Sequence, residues 1–135
     1  MNGVIAIRSL LVADTGLTAL VPEARIAAGS LPQGTALPAI SLMSVSSVDR
    51  NIPSPGPKRR VTERAQVTVL ARTYPETKAI LAAIRIAAAD QMPQIDGLSD
   101  VTVHTDSAGP DFLDEETGIH MQTQDFRVSF NEARP

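Results

Sequence analysis

His104 and His120 are the only imidazoles in the chain, and Asp106 is the nearest carboxylate that could orient one of them. Acid-base or metal chemistry would need both rings together beside that carboxylate. Both alternate onto the polar side of expected strands, and no His-x-His or His-Glu-x-x-His spacing occurs, so they read as exposed strand histidines. A serine nucleophile has no Gly-x-Ser-x-Gly elbow. Asp106, Asp111, Asp114, Glu115 and Glu116 put five carboxylates in eleven residues, a density that could hold a hard cation. The EF-hand spacing is missing, which leaves a solvated hairpin loop or a contact with a basic partner. Gly29, Gly34 and Gly56 never combine into Gly-x-Gly-x-x-Gly or a phosphate loop, so nucleotide binding has no support.

Lys58-Arg59-Arg60, with Arg50 before it and Arg64 after it, is the one marked positive cluster in a chain of net charge -3. It reads as a solvated loop, as a dock for an acidic protein surface, or as a contact with nucleic acid passing nearby. One Tyr, three Phe and no Trp leave no stacking platform for single-stranded nucleic acid. The acidic balance gives no general attraction for phosphate backbones or anionic lipid. Zero Cys removes disulfides, thiol nucleophiles, zinc-thiolate sites and iron-sulfur clusters together. The residues thus assign no catalytic, cofactor-binding or metal-ligating role. They leave interface candidates, Arg50, Lys58, Arg59 and Arg60 on a basic loop and Asp111, Asp114, Glu115 and Glu116 on an acidic one, a pair that head-to-tail neighbours in a ring could use.

The elements that must carry these loops follow from periodicity. At 135 residues, with 43% apolar and 20% charged residues, the chain is expected to form one globular α+β domain over 1–135. No signal peptide or run of about 18 apolar residues is present, so neither secretion nor a membrane span is expected. Val4, Ile7, Leu10 and Leu11 predict a helix over Gly3 to Ala13, and a second short turn carries Leu17 and Leu20 until Pro22. Ala24 to Pro38 reads as an irregular connection with a brief strand near Arg25 to Ala28. Ala39 to Val48 alternates with a slip that predicts a bulge near Leu42. Three prolines and the basic run make 49–60 a long loop. Glu63 to Arg72 is a strand with Ala65, Val67, Val69 and Ala71 inward. Thr73-Tyr74-Pro75-Glu76 is a capping box, opening a helix with Ile80, Leu81, Ile84, Ala87 and Ala88 inward that ends at Pro93. Strands follow at Val101 to Asp106 and Ile119 to Phe130, separated by a turn-rich acidic stretch, and 131–135 is expected to fray. An antiparallel sheet of four to five strands, with one long and one or two short helices packed on one face, is the economical architecture.

Leu10-Leu11-Val12-Ala13-Asp14 with Leu17-Thr18-Ala19-Leu20-Val21, then Arg25-Ile26, Leu31-Pro32-Gln33-Gly34 and Leu37-Pro38-Ala39-Ile40, resembles the opening of the tail-completion family of tailed bacteriophages, also called tail terminators or head-to-tail joining proteins. The strand Arg64 to Leu70, Thr73-Tyr74 opening a helix with Ala79, Ala82 and Arg85, and the closing Asp125-Phe126-Arg127-Val128 are similar to it in order and spacing, over nearly the whole chain. The Pro-rich stretch from Ile52 to Pro57 departs from the pattern. The resemblance implies a non-enzymatic subunit without cofactor, made in the host bacterial cytoplasm and residing in the virion. It would form a hexameric ring, cap the tube of major tail protein, and present its other face to the head-closure connector, with DNA passing through the lumen and no membrane contact. The rival readings are another neck adaptor on the portal side, or a small soluble ligand-binding domain or enzyme using His104, Asp106 and His120.

Overall fold

The computed structural model describes residues 1–134. Helix α1 (Asn2–Ala13) turns Val4, Ile7 and Leu11 inward, and α2 (Thr15–Leu20) begins where Asp14 leaves helical geometry and its Oδ1 accepts from the Leu17 amide at 2.9 Å. A single 3-10 turn (Glu23–Arg25) leads into β1 (Ile26–Ala28). Then come β2 (Ala39–Arg50), β3 (Lys58–Ala71), α3 (Tyr74–Ala88), β4 (Leu98–Ala108), β5 (Phe112–Asp114) and β6 (Ile119–Ala133). The strands form one sheet in the order β1-β2-β3-β6-β4, with β5 also on β6; only β1 with β2 is parallel. This is the expected α+β architecture, with six strands. Among the described residues no helix is long and apolar enough to cross a membrane.

Alternation explains the layering. Ala65, Val67, Val69 and Ala71 on β3 and Phe126, Val128 and Phe130 on β6 share one face, and α1 and α3 cover it. Ile80, Ile84 and Ala88 of α3 lie fully buried against that face. The capping box forms with a shift: Thr73 Oγ1 accepts from the Glu76 amide at 3.3 Å, while Glu76 Oε1 accepts from Arg72, one residue before the cap. Near the start of α1, the Gly3 amide and the Met1 ammonium donate to Oε1 of Glu63, which is buried on β3. A Cβ on Gly3 would sit 2.7 Å from Glu63 Oε2, so a larger residue there would have to displace the carboxylate that the Gly3 amide holds.

Several boundaries differ from expectation. The loop expected over 49–60 is only 51–57, because β2 runs on to Arg50 and β3 begins at Lys58. The three prolines are confined to the turn, while Lys58, Arg59 and Arg60 pair with Ala133, Glu132 and Asn131 of β6. For the same reason 131–133 is not frayed but is the end of a central strand, and the Arg134 amide donates to Pro57 O. Pro135 lies outside the described residues. The bulge falls at Val45, between the pairs Ser44–Ala65 and Ser46–Arg64, rather than near Leu42. Leu42 is still held by the core, and the irregularity comes where β2 leaves it. Helix α3 stops at Ala88, short of Pro93, because Asp90 takes a left-handed φ of 59° and Gln91 bridges to Val103.

Replacing Ile84 by Asp places an unpaired charge in this core and is expected to cost at least about 3 kcal/mol, enough to unfold a marginal domain. Thermal denaturation of Ile84→Asp checks this, and a melting curve equal to the parent's would show the helix face to be misassigned.

Candidate assembly interface

The basic residues are carried by a hairpin rather than a free loop. Arg59 Nε lies 2.9 Å from Glu132 Oε1, and Arg59 Nη1 lies 3.7 Å from Asp49 Oδ2. Arg60 Nη1 donates to Asp100 O at 2.7 Å. Arg50 and Lys58 make no ion pair among the described residues and are exposed. The four basic positions therefore divide into two that brace the sheet and two that are available to a partner.

The acidic stretch also acquires structure, since β5 pairs with the start of β6 and Gly118, at φ 73°, closes the turn through its amide to Asp114 O. Asp111 accepts from Lys78 Nζ and, at 2.7 Å, from the Tyr74 hydroxyl, which ties the hairpin to α3. The Lys78 bond, then the Tyr74 bond, hold the Asp111 carboxyl below its usual pKa, and the bond to Asp111 raises Lys78. Asp114 Oδ1 accepts from the Glu116 amide, and Glu115 and Glu116 are exposed at the tip. This turn precedes β6 and the 51–57 turn adjoins the far end of β6, so the acidic and basic patches sit at opposite ends of the sheet, about 45 Å apart along a 15-residue strand.

The histidines do not meet. His104 faces Arg127 across the pair of β4 with β6, while His120 pairs with Ala71 nearly a strand length away. His104 Nδ1 lies 2.8 Å from Asp90, and His120 lies edge-on to Tyr74 with ring centroids 6.2 Å apart. His120 also shares the parity of Gln122, Gln124 and Phe126, on the helix-covered side of β6 and not on the polar face, because the strand parity there is set by Phe126. Asp106 lies between Arg64 and Arg127, at 3.6 Å from each. A cleft of about 460 Å³ along residues 93–101 has only Asp96 and Asp100 as titratable groups in its lining. Among the described residues no three His, Cys, Asp or Glu side chains are grouped to hold a metal ion.

Sequence reading missed the outer face of the sheet. Asp125 is buried there because Arg64 on β3 lies over it, donating from Nε at 2.8 Å and also from Nη2, while Gln66 Nε2 donates at 3.1 Å. Asp106 on β4 continues the network to Arg127. The hydrogen bond and charge of Asp125, with Asp106 adding, raise the Arg64 pKa. The signal was present in register, since Arg64, Gln66 and Asp125 all alternate away from the apolar set. Two arginines against two aspartates leave the centre of this face neutral.

Arg59→Glu would set a third carboxylate beside Glu132 and Asp49 and is expected to lower stability by about 1 kcal/mol, whereas Lys58→Glu should be neutral within a few tenths. Urea unfolding of the two variants distinguishes bracing from availability. The lowered Asp111 pKa means that its contribution is fully present above the usual carboxylate pKa and is lost as pH falls through the lowered folded value. Amide exchange of Phe112–Asp114 should therefore stay protected until pH drops below the usual carboxylate range, and Asp111→Asn should abolish that acid-linked release.

Comparison with known proteins bears on what such a subunit is for. No curated protein matches the chain. A chain from the solved structure titled "Virion of native gene transfer agent (GTA) particle" shares the fold at a TM-score of 0.75, with 18% identity over 94% of this chain and 92% of that one. The sequence pattern of the family described as tail completion protein gp17 matches residues 5–130. From Ile5 on the first helix to Phe130 on the last strand, this chain therefore belongs to the tail completion protein gp17 family, and it is a structural protein of the bacteriophage tail.

Proposed function

We propose that this protein forms a hexameric ring that caps the tube of major tail protein, stops its growth and joins it to the head-closure connector in the neck of the particle. Family membership across residues 5–130 is the observation that carries this reading. The shared fold of a chain in a gene transfer agent virion is consistent with it. A ring that must contact a tube on one side and a connector on the other needs two different axial surfaces. The two ends of the sheet supply them: the exposed Arg50 and Lys58 at one end, and Asp114, Glu115 and Glu116 at the other. These eight sequence-marked positions then serve axial docking or support it, with Arg59, Arg60 and Asp111 holding the patches in shape.

Capping controls length because the ring occupies the surface that the next tube ring would have used, which makes capping and growth mutually exclusive. The role is binding and geometry rather than catalysis. The neutral outer face, where Arg64 and Arg127 are matched by Asp125 and Asp106, suits a lumen past which DNA slides without sticking. Deleting the gene from its phage or prophage and imaging the products by electron microscopy tests the reading. Full capsids separated from tails, with tubes overgrown or unjoined, are expected. Intact virions of normal tail length would refute it.

A further inference from the structure

The sheet has two margins, one open along much of β2 and one bridged only at Val103 of β4 among the described residues, and they complement each other. Strand β1 covers β2 only at Ile40, Ser41 and Leu42. From Met43 to Arg50 the side of β2 away from β3 has no strand partner among the described residues, and all of those residues are exposed. An uncovered edge of this length is a template for another strand, and natural edges are usually blunted with charge or proline. Here Met43, Val45 and Val48 remain 51%, 46% and 66% exposed, and charge enters only at Asp49 and Arg50. Beside the edge an apolar hollow of about 310 Å³, lined by Val4, Ala28, Leu42 and Met43 among others, continues the line of β1 and could take a side chain from an added strand. At the other margin of the sheet, β4 pairs with β6 on one side and on the other, among the described residues, carries only the isolated bridge in which the Val103 amide donates to Gln91 O, so its edge is open on either side of Val103.

Direction, level and charge match between these margins. Three antiparallel steps separate β2 from β4, so a second copy in the same orientation would set its β4 antiparallel to β2. Following the register across the sheet, Val48 lies level with Thr62, Ser129 and Thr102, and Arg50 with Arg60, Asn131 and Ser99. The available cations Arg50 and Lys58 thus stand at the height of Asp96 and Asp100, exposed at the start of β4. A subunit whose two unlike margins fit each other makes the heterologous contact from which rings close.

We infer that the Met43–Arg50 edge of β2 receives β4 of a second copy of this chain, so that the subunits are joined into one continuous antiparallel sheet with Arg50 and Lys58 beside the neighbour's Asp96 and Asp100. This rests on the ring reading above and specifies its lateral contact. Of the patches first singled out in the sequence, the acidic turn at Asp114, Glu115 and Glu116 takes no part in that contact, since it lies at the opposite end of the strands, whereas Arg50 and Lys58 border it.

The chain has no cysteine, so paired substitutions report cleanly. Val48→Cys combined with Thr102→Cys, and separately with His104→Cys to allow a two-residue stagger, are oxidised both in concentrated solution and in particles assembled in the host. Within one chain these positions are three strand spacings apart, about 14 Å, too far for a disulfide. Cross-links can then only join different subunits, and a ladder ending at a fixed ring number is expected. Arg50→Glu should lower the cross-linked yield about fivefold, and adding Asp96→Arg should restore it. Rings that form but are cross-linked by neither pair would overturn the β2–β4 contact and leave the ring standing. Monomer in both preparations would overturn the ring and this contact with it.

Discussion

The fourteen paired positions between β3 and β6 are the constraint on which the rest of the structure depends. Side chains on a strand alternate strictly, so one register decides at once which residues meet the helices and which face away. With Val67 opposite Gln124 and Ala65 opposite Phe126, the apolar set of both strands falls on one face. Slipping β6 by one residue would bring Asp125 and Arg127 into the core and send Phe126 and Val128 to the outside. Helices α1 and α3 can cover only the first arrangement, and the outer network of Arg64, Gln66 and Asp125 is satisfied only there.

Glu63 shows how tightly the two layers are coupled. It shares the parity of the apolar residues on β3, and its buried Oε1 is reached by the Gly3 amide at the first turn of α1. The positive end of a helix favours an anion at that place. Among the described residues its other oxygen, Oε2, has no hydrogen-bond partner, so the site accommodates a carboxylate at some desolvation cost. A glycine at position 3 is what lets the helix approach so closely. Glu63 shares the inward parity of Ala65, but nothing local in the sequence reveals that a helix from the far end of the chain supplies its donor.

That contrast describes the legibility of this chain in general. Features produced by neighbours in sequence could be read: the inward stripe of α3, the Thr73 cap, the clean alternation of 63–72 and the stop of α2 before Pro22. Features produced by partners distant in sequence could not. Lys58, Arg59 and Arg60 look like a loop because they are charged and follow prolines, yet β6 supplies Asn131, Glu132 and Ala133 to pair with them. Those same residues look like a frayed end only while their partner strand is unknown. The end of α3 escaped for the same reason, since Gln91 is drawn away by Val103. The interface residues were visible as charge, but whether a charge is free or engaged depends on the fold: Arg59 and Arg50 are indistinguishable by type and differ in having Glu132 at hand.

The location of free charge, more than its amount, constrains how such a subunit can assemble. A domain with helices on one face of its sheet has a covered face, a bare face, two ends and two margins, and each can serve only one neighbour at a time. The bare face is internally neutralised, so it offers little binding energy to a charged partner. The ends present different exposed charges, Arg50 and Lys58 with Asp96 and Asp100 at one and Glu115 and Glu116 at the other, and are separated by the length of β6, which fits different partners stacked along one axis. The margins carry strand edges that, among the described residues, pair with no further strand of this chain over most of their length, which fits copies of the same chain set side by side. Backbone pairing at the margins is insensitive to side-chain identity, whereas docking at the ends depends on a few exposed charges. Sequence change at Glu115 and Glu116 could therefore alter an axial partner while leaving lateral pairing intact, whereas change at Arg50 or Lys58 would touch both, because β2, β3, β6 and β4 all run along the axis joining the two ends.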